Sequence, residues 1–352
     1  MKLTKKSIFL AIALVPLLLT ACTAQISGGF PSGAVVNQDT LYISSGVAVL
    51  AVKSDGSQIW RYPDKVDTSK SFFAAPVVIN EQVVVGDYQN SIFSLDAATG
   101  VEKWSFKDAK GRYIASPVVV GDKIIAPNAD GNVYALDQTG KQLWKFTAKA
   151  GLWGTPASDT GHVYVTSMDH FLYGINTADG SQAWATDLGG PMMAAPLLTK
   201  DGILYVGTLG NKIAAVEASS GKVLWNFETV GSVWAMPVYN EGVIYVGDAS
   251  NKIYALNAKD GSQAWQTDAP GPVIASPGVL PTGLVFVSDT GDVFLVGFQN
   301  ERGWTDKLSN GKLYSTPIIF GDRLVVPVDQ GDNFLVTYDF TGRKGWTFAV
   351  PK

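Results

Sequence analysis

Short blocks of hydrophobic residues alternate with polar turn residues through most of the chain. Residues 115–148 are representative: four apolar runs, PVVV, KIIAP, NVYAL and QLWKF, are separated by Gly-Asp, Asp-Gly and Thr-Gly pairs. Runs of this length that are rich in β-branched and aromatic residues and bounded by turn residues predict β-strands. After the N-terminal leader, no stretch keeps a helical period for three turns. The pattern therefore predicts an all-β fold.

The same four-strand unit recurs eight times, and a tryptophan marks its last strand. These tryptophans are spaced 39 to 44 residues apart. They are Trp60, Trp104, Trp144, Trp184, Trp225, Trp265, Trp304 and Trp346. Four-stranded units of about 40 residues are typical of β-propellers. We therefore predict an eight-bladed β-propeller in which each tryptophan lies on an outermost strand and packs between neighbouring blades.

Glycine and proline recur in phase with the tryptophans. A glycine precedes the tryptophan by four residues in seven units, and Asn300 takes that place in the seventh unit. A glycine here suits a tight hairpin that needs positive φ. A proline precedes each tryptophan by 27 to 29 residues, beginning with Pro31. Because proline lacks an N–H group, it is tolerated on an edge strand, and we place it at the start of the innermost strand of each blade.

The N-terminus has the features of a targeting segment. Lys2, Lys5 and Lys6 precede an apolar stretch that is too short to span a bilayer, and this stretch ends at Cys22, the only cysteine of the chain. Small residues before a cysteine at this place resemble a bacterial lipoprotein processing site. We therefore expect a signal peptide at 1–21, a lipidated tether at 22–29 and the propeller at 30–352. A plain secretory signal cleaved nearby is the alternative.

The repeat sequence resembles a known family of propellers. The segments LDAATGVEKW, ALDQTGKQLW and ALNAKDGSQAW, which end at Trp104, Trp144 and Trp265, resemble the tryptophan-docking motif of quinoprotein (PQQ-dependent) alcohol dehydrogenase-like propellers. Together with the lipoprotein signal, they make the chain similar to the BamB family of outer-membrane assembly lipoproteins. That family closes its ring with a lent N-terminal strand, whereas eight whole units are counted here. We therefore expect closure by side-chain packing between the first and eighth blades, or by a strand exchanged from residues 347–352.

Composition and charge argue against several classes of function. The formal charge of −4 and the lack of a basic run after the leader argue against a nucleic-acid binder. The resemblance would imply PQQ with calcium and a vicinal disulfide, but one cysteine cannot form a disulfide. The acidic turns 289–292 and 329–332 lack a complete calcium-loop pattern. We therefore expect a monomeric propeller with no enzyme activity, cofactor or metal.

One set of residues suggests a binding surface. These residues stand three positions before the repeat prolines: Phe73, Ile114, Trp153, Met193, Trp234, Ile274 and Tyr314. We predict that they surround one mouth of the central channel as a collar that could hold an extended peptide, because aromatic residues anchor interfaces. The alternative is that they only pack between blades.

Three functions are compatible with these features. The leading expectation is an extracytoplasmic, lipid-anchored scaffold that assists outer-membrane β-barrel assembly. In a host with two membranes it would lie on the periplasmic face of the outer membrane and bind the barrel-assembly machinery, and otherwise it would lie at the cell surface. A ligand or peptide sensor that uses the collar is the second reading, and a diverged PQQ-dependent dehydrogenase is the third.

Overall fold

The structure is a computed structural model that describes residues 33–331 and 333–349. The leader, Cys22 and Pro31 lie outside the described residues. The described residues form 32 β-strands and no helix, arranged as eight four-stranded sheets of consecutive strands. Neighbouring strands within each sheet are antiparallel. The prediction of an all-β, eight-bladed propeller is confirmed.

The strands are numbered in chain order, four to a blade. Blades 1 and 2 contain β1 (Ala34–Asn37), β2 (Thr40–Ser44), β3 (Val49–Lys53), β4 (Gln58–Tyr62), β5 (Val77–Ile79), β6 (Gln82–Gly86), β7 (Ile92–Asp96) and β8 (Glu102–Phe106). Blades 3 and 4 contain β9 (Val118–Val120), β10 (Lys123–Pro127), β11 (Asn132–Leu136), β12 (Gln142–Thr147), β13 (Ala157–Ser158), β14 (His162–Thr166), β15 (Phe171–Asn176) and β16 (Gln182–Asp187). Blades 5 and 6 contain β17 (Leu197–Leu198), β18 (Ile203–Thr208), β19 (Lys212–Glu217), β20 (Val223–Glu228), β21 (Val238–Asn240), β22 (Val243–Gly247), β23 (Lys252–Asn257) and β24 (Gln263–Asp268). Blades 7 and 8 contain β25 (Gly278–Leu280), β26 (Gly283–Val287), β27 (Asp292–Val296), β28 (Arg302–Lys307), β29 (Ile318–Phe320), β30 (Arg323–Pro327), β31 (Asn333–Tyr338) and β32 (Lys344–Ala349).

The core consists of apolar clusters between adjacent blades. The second and third strands are almost wholly buried, because both of their faces are covered by neighbouring sheets. The first strands contact one another around the central axis, and β1 contacts both β5 and β29. The first strand of each blade is therefore innermost.

Tryptophans on the fourth strands connect each blade to the next. The indole Nε1–H of each docking tryptophan donates to a backbone carbonyl in the turn between the third and fourth strands of the following blade, at 2.8–3.3 Å. The glycine of that turn lies against the indole ring. A Cβ atom at Gly140 would stand 2.5 Å from Cε3 of Trp104, and the φ of Gly140 is +84°. At Asn300 the φ is +71°, a left-handed conformation that asparagine tolerates.

The same contact closes the ring. Nε1 of Trp346, in β32, donates to the carbonyl of Ser54 in blade 1 at 3.0 Å. One core cluster joins Leu41 and Leu50 of blade 1 to Leu335 of blade 8. Residues 347–349 pair with β31 of their own blade. Within the described residues, closure is therefore by side-chain packing and not by an exchanged strand.

Candidate functional site: the linker face

One face of the propeller is built from two sets of loops. Linkers join the fourth strand of one blade to the first strand of the next, and inner loops join the second and third strands within a blade. Backbone hydrogen bonds connect the two sets: the Tyr88 amide donates to the Ser71 carbonyl at 2.8 Å, and the Met168 amide donates to the Gly151 carbonyl at 3.1 Å. We call this surface the linker face. The opposite surface, formed by the remaining hairpin turns, is the turn face.

The linkers alternate buried and partly exposed residues. The residue directly before each collar position has 0% relative exposure, and these residues are Phe72, Tyr113, Leu152, Met192, Val233, Val273 and Leu313. Each collar residue that follows is partly exposed, and Trp234 reaches 41%. Side chains alternate between opposite sides of an extended backbone. The fully buried position is thus one residue earlier than the collar position, and the collar residues are partly accessible.

The inner loops add a second set of residues that the sequence analysis did not identify. Each is partly exposed and is the first or second residue of its loop: Tyr88, Ala129, Met168, Leu209, Ala249, Asp289 and Asp329. They contact the collar where rings are large enough, since the ring centroids of Phe73 and Tyr88 are 4.6 Å apart. Their constant place within the repeat was a usable signal in the sequence. Five of the seven are apolar or aromatic, and the two in blades 7 and 8 are acidic.

Most carboxylates of the inner loops hold the loops in shape. Asp130, Asp169 and Asp248 each accept a hydrogen bond from a tyrosine hydroxyl at 2.8 Å. Burial, together with the hydrogen bond to Asp248, raises the pKa of Tyr254 to about 12. This tyrosine therefore remains a neutral donor at physiological pH. The carboxylates are structural groups of the loops.

The two acidic turns behave differently from each other. Asp292 accepts hydrogen bonds from Ser288, Thr290 and Lys307, so its oxygens are already engaged. Asp329 accepts the Tyr314 amide at 2.6 Å and the Ser315 hydroxyl at 3.1 Å. Asp332, which belongs to the second turn, lies outside the described residues. Within residues 33–331 and 333–349, no group of three or more His, Cys, Asp or Glu side chains is placed to hold a metal ion.

The residues of the linker face do not fit a PQQ site with calcium. Calcium takes six to eight oxygen ligands, whereas the inner-loop position is apolar or aromatic in blades 2 to 6. Among the nearby carboxylates, Asp248, Asp292 and Asp329 are bound within their own loops and linkers. The chemistry that this arrangement supports is the binding of apolar and charged side chains.

The described part of the chain contains no helix of the length and hydropathy needed to cross a membrane.

The fold is a tryptophan-docked, eight-bladed propeller, and its linker face carries partly exposed apolar and aromatic residues. A family model described as outer membrane protein assembly factor BamB matches residues 18–147, 129–201 and 198–312. The chain belongs to this family.

Relatives with this name match parts of the chain. BamB of Nitrosomonas eutropha is 26% identical over 174 residues, which cover 47% of this chain and 41% of that protein. BamB of Burkholderia pseudomallei is 30% identical over 176 residues, which cover 49% of this chain and 45% of that protein. The matched segments thus span less than half the length of these relatives.

Solved structures share the fold. The crystal structure of BamB from Moraxella catarrhalis superposes with a TM-score of 0.74 at 18% identity, covering 87% of this chain and 96% of that chain. A quinohemoprotein alcohol dehydrogenase from Pseudomonas putida HK5 gives a TM-score of 0.70 at 14% identity, covering 91% of this chain and 75% of that one. At these identities the superpositions establish the fold alone.

Proposed function

We propose that this chain is a non-catalytic scaffold, held at the outer membrane by lipid on Cys22, that assists the assembly of outer-membrane β-barrel proteins. It would do so by binding the periplasmic part of the machinery that inserts those barrels. The observation that carries the proposal is the family match, which extends from residue 18 to residue 312. A closed propeller with buried second and third strands suits a rigid scaffold.

The start of β1 supports an orientation for the anchored protein. The amide of Gly33, just before β1, donates to the carbonyl of Phe73 at 2.9 Å, so the described chain begins on the linker face. The segment from Cys22 to Gly33 can span at most about 40 Å when fully extended. A lipid on Cys22 would therefore keep the propeller close to the membrane, and the start of the described chain on the linker face favours that face, with its collar, as the side towards the membrane.

The anchor is tested by labelling in the native host. Cells fed an alkyne-modified palmitate should incorporate the label into the wild-type chain, and the Cys22→Ala variant should lose both the label and recovery in the membrane fraction. Equal labelling of the two proteins would contradict lipidation at Cys22.

The assembly role is tested by deleting the gene in a host with an outer membrane. The amounts of folded barrel proteins in the outer membrane should fall, and the wild-type gene should restore them. Unchanged amounts of folded barrel proteins would contradict the role.

A sensor function is the second candidate, and one observation favours it. Trp234 is 41% exposed although tryptophan is usually well buried. Saturable binding of a small ligand to the collar, with loss on Trp234→Ala, would support this candidate, and absence of such binding would count against it.

A further inference from the structure

Asp289 has no hydrogen-bond donor or cation beside it among the described residues. It lies in the inner loop of blade 7, where its backbone amide donates to the Pro272 carbonyl at 3.0 Å. Its Oδ1 atom is buried, and no described residue donates a hydrogen bond to it. It also forms none of the ion pairs found among the described residues. A buried carboxylate oxygen without a donor is unfavourable and needs an explanation.

Aspartates in other inner loops do have hydrogen-bond donors, so the shape of these loops does not explain why Asp289 lacks one. Asp87, in the inner loop of blade 2, accepts the amides of Gln89 and Ser91. Asp248 in blade 6 accepts a tyrosine hydroxyl and a backbone amide. Asp329, at the equivalent position in blade 8, holds the linker at Tyr314 and Ser315. Asp289 contributes no comparable bond through its side chain, and the residue is partly exposed although its Oδ1 atom is buried, so its charge can interact with another molecule at the surface.

The surroundings of Asp289 suit a basic side chain. Burial raises the pKa of Tyr314, and the nearby carboxylates of Asp289 and Asp329 raise it further, so both charges act on this tyrosine. The backbone amide of Asp289 donates to the carbonyl of Pro272. Ile274, two residues further along that linker, is partly exposed. A lysine or arginine can lay its methylene stem along apolar side chains while its charged end contacts a carboxylate and an aromatic ring.

The remainder of the linker face extends this subsite with apolar surface. Blades 2 to 6 carry apolar or aromatic residues at the position equivalent to Asp289, next to collar residues that include Trp153 and Trp234. At blade 2, the guanidinium of Arg112 lies 5.4 Å from the ring centroid of Tyr88. At the inner-loop position, the residues are therefore apolar or aromatic along blades 2 to 6 and acidic at blades 7 and 8.

We propose that Asp289, beside Tyr314, binds a basic side chain of an extended polypeptide whose apolar residues lie along the collar. The partner is thus a protein segment that combines hydrophobic residues with a lysine or arginine. The attraction between this basic residue and the carboxylate of Asp289 fixes which end of the segment lies at blade 7. This inference rests on the proposed function in taking a protein as the partner. The site itself is defined by residues of this chain alone.

Two labelled peptides test the subsite. One is a short fluorescein-labelled peptide in which a lysine is flanked by valine and phenylalanine, and the other has norleucine in place of the lysine. Fluorescence anisotropy should show that the wild-type protein binds the lysine peptide about tenfold more tightly. Asp289→Asn should remove this preference and leave the affinity for the norleucine peptide unchanged.

A second variant and a stability measurement complete the test. Asp108→Asn removes an exposed carboxylate from a linker on the same face and should leave the preference for lysine intact. Asp289→Asn should unfold at the same urea concentration as the wild type or a higher one, because the lost charge has no partner in the chain. Equal binding of both peptides to the wild type, binding of neither, or equal weakening of both by Asp289→Asn would overturn the inference.

The outcome can be separated from that of the proposed function. A wild-type protein that co-purifies with barrel-assembly proteins but does not discriminate the peptides overturns this inference alone. A protein that discriminates the peptides but recovers no assembly partner overturns the proposed function alone.

Discussion

At the residue scale, one contact is repeated around the ring: an indole lies against a glycine of the next blade while its N–H binds a carbonyl of the same turn. Trp104, for example, donates to the Gln138 carbonyl at 2.8 Å, and its ring occupies the space above Gly140. Glycine serves two purposes at this position, since it adopts positive φ and leaves room for the ring. These two contributions can be separated by mutation.

Gly140→Ala should be much more harmful than Gly202→Ala. Both glycines have positive φ, +84° and +77°, but only Gly140 has a ring within reach of a new Cβ atom. Gly202→Ala should lower the free energy of unfolding by about 1 kcal/mol through backbone strain. Gly140→Ala should cost about 1–3 kcal/mol more through overpacking. Urea denaturation measures both, and equal losses would contradict the docking account.

Two partly exposed aspartates should make stability depend on acid pH. Hydrogen bonds from Lys70 and Ser69 lower the pKa of Asp67 to about 2, and those from Lys103 and Thr99 lower the pKa of Asp96 to about 2. An unfolded aspartate titrates near 3.9. The stability contributed by these groups is therefore present above about pH 4 and is lost as the pH falls towards about 2.

Unfolding midpoints of the wild type and two variants, measured across this pH range, test the contribution of Asp67. Asp67→Asn should flatten the acid limb of the curve, whereas Asp64→Asn, an exposed change in the same linker, should leave it as in the wild type. An acid limb that is identical in all three proteins would show that Asp67 contributes nothing.

At the element scale, each linker assigns adjacent residues to different environments. Met192 is fully buried between blades, while Met193, the collar residue beside it, is partly exposed. The chain thus offers two chemically identical side chains that differ only in environment. Their comparison decides whether the collar is needed for packing.

Met192→Ala should reduce the free energy of unfolding by about 2–5 kcal/mol, because it leaves a cavity in the core. Met193→Ala should change it by less than about 1 kcal/mol, as expected for a surface position. Chemical denaturation of the two variants is the measurement. If Met193→Ala proved as costly as Met192→Ala, the collar would be part of the packing between blades.

The elements themselves were largely predictable, whereas the details of the site were not. The Trp, Gly and Pro periods located the blades, because each marks a fixed place in a repeated hairpin. The contact between Gly140 and Trp104 was not anticipated, since it joins different repeats and depends on how blades stack. The sequence does not distinguish Asp289 from an ordinary turn residue, because aspartate has the same preference for turns whether or not its side chain finds a donor.

At the scale of the whole molecule, the ring is closed by the contact that joins every other pair of blades. Trp346 of blade 8 contacts blade 1 in the same way that every other docking tryptophan contacts the blade that follows it. Since no strand is shared between blades 1 and 8 in the described residues, this seam depends on side chains.

Trp346→Ala should open the seam locally. Loss of the ring and its hydrogen bond should cost about 3–5 kcal/mol, and hydrogen exchange should accelerate in blades 1 and 8. Trp184→Ala, the matched change between blades 4 and 5, should accelerate exchange there instead. Faster exchange in all blades for both variants would contradict a ring of separable seams.

The central claim is that this propeller works as an envelope scaffold for β-barrel assembly, and its partners in native membranes test that claim most directly. The tagged full-length chain would be crosslinked in its native host, affinity-purified and analysed by mass spectrometry, with an unrelated tagged envelope lipoprotein as the control. The account predicts specific recovery of the barrel-assembly protein with its companions. Good recovery of the tagged chain with no such protein above the control would contradict it.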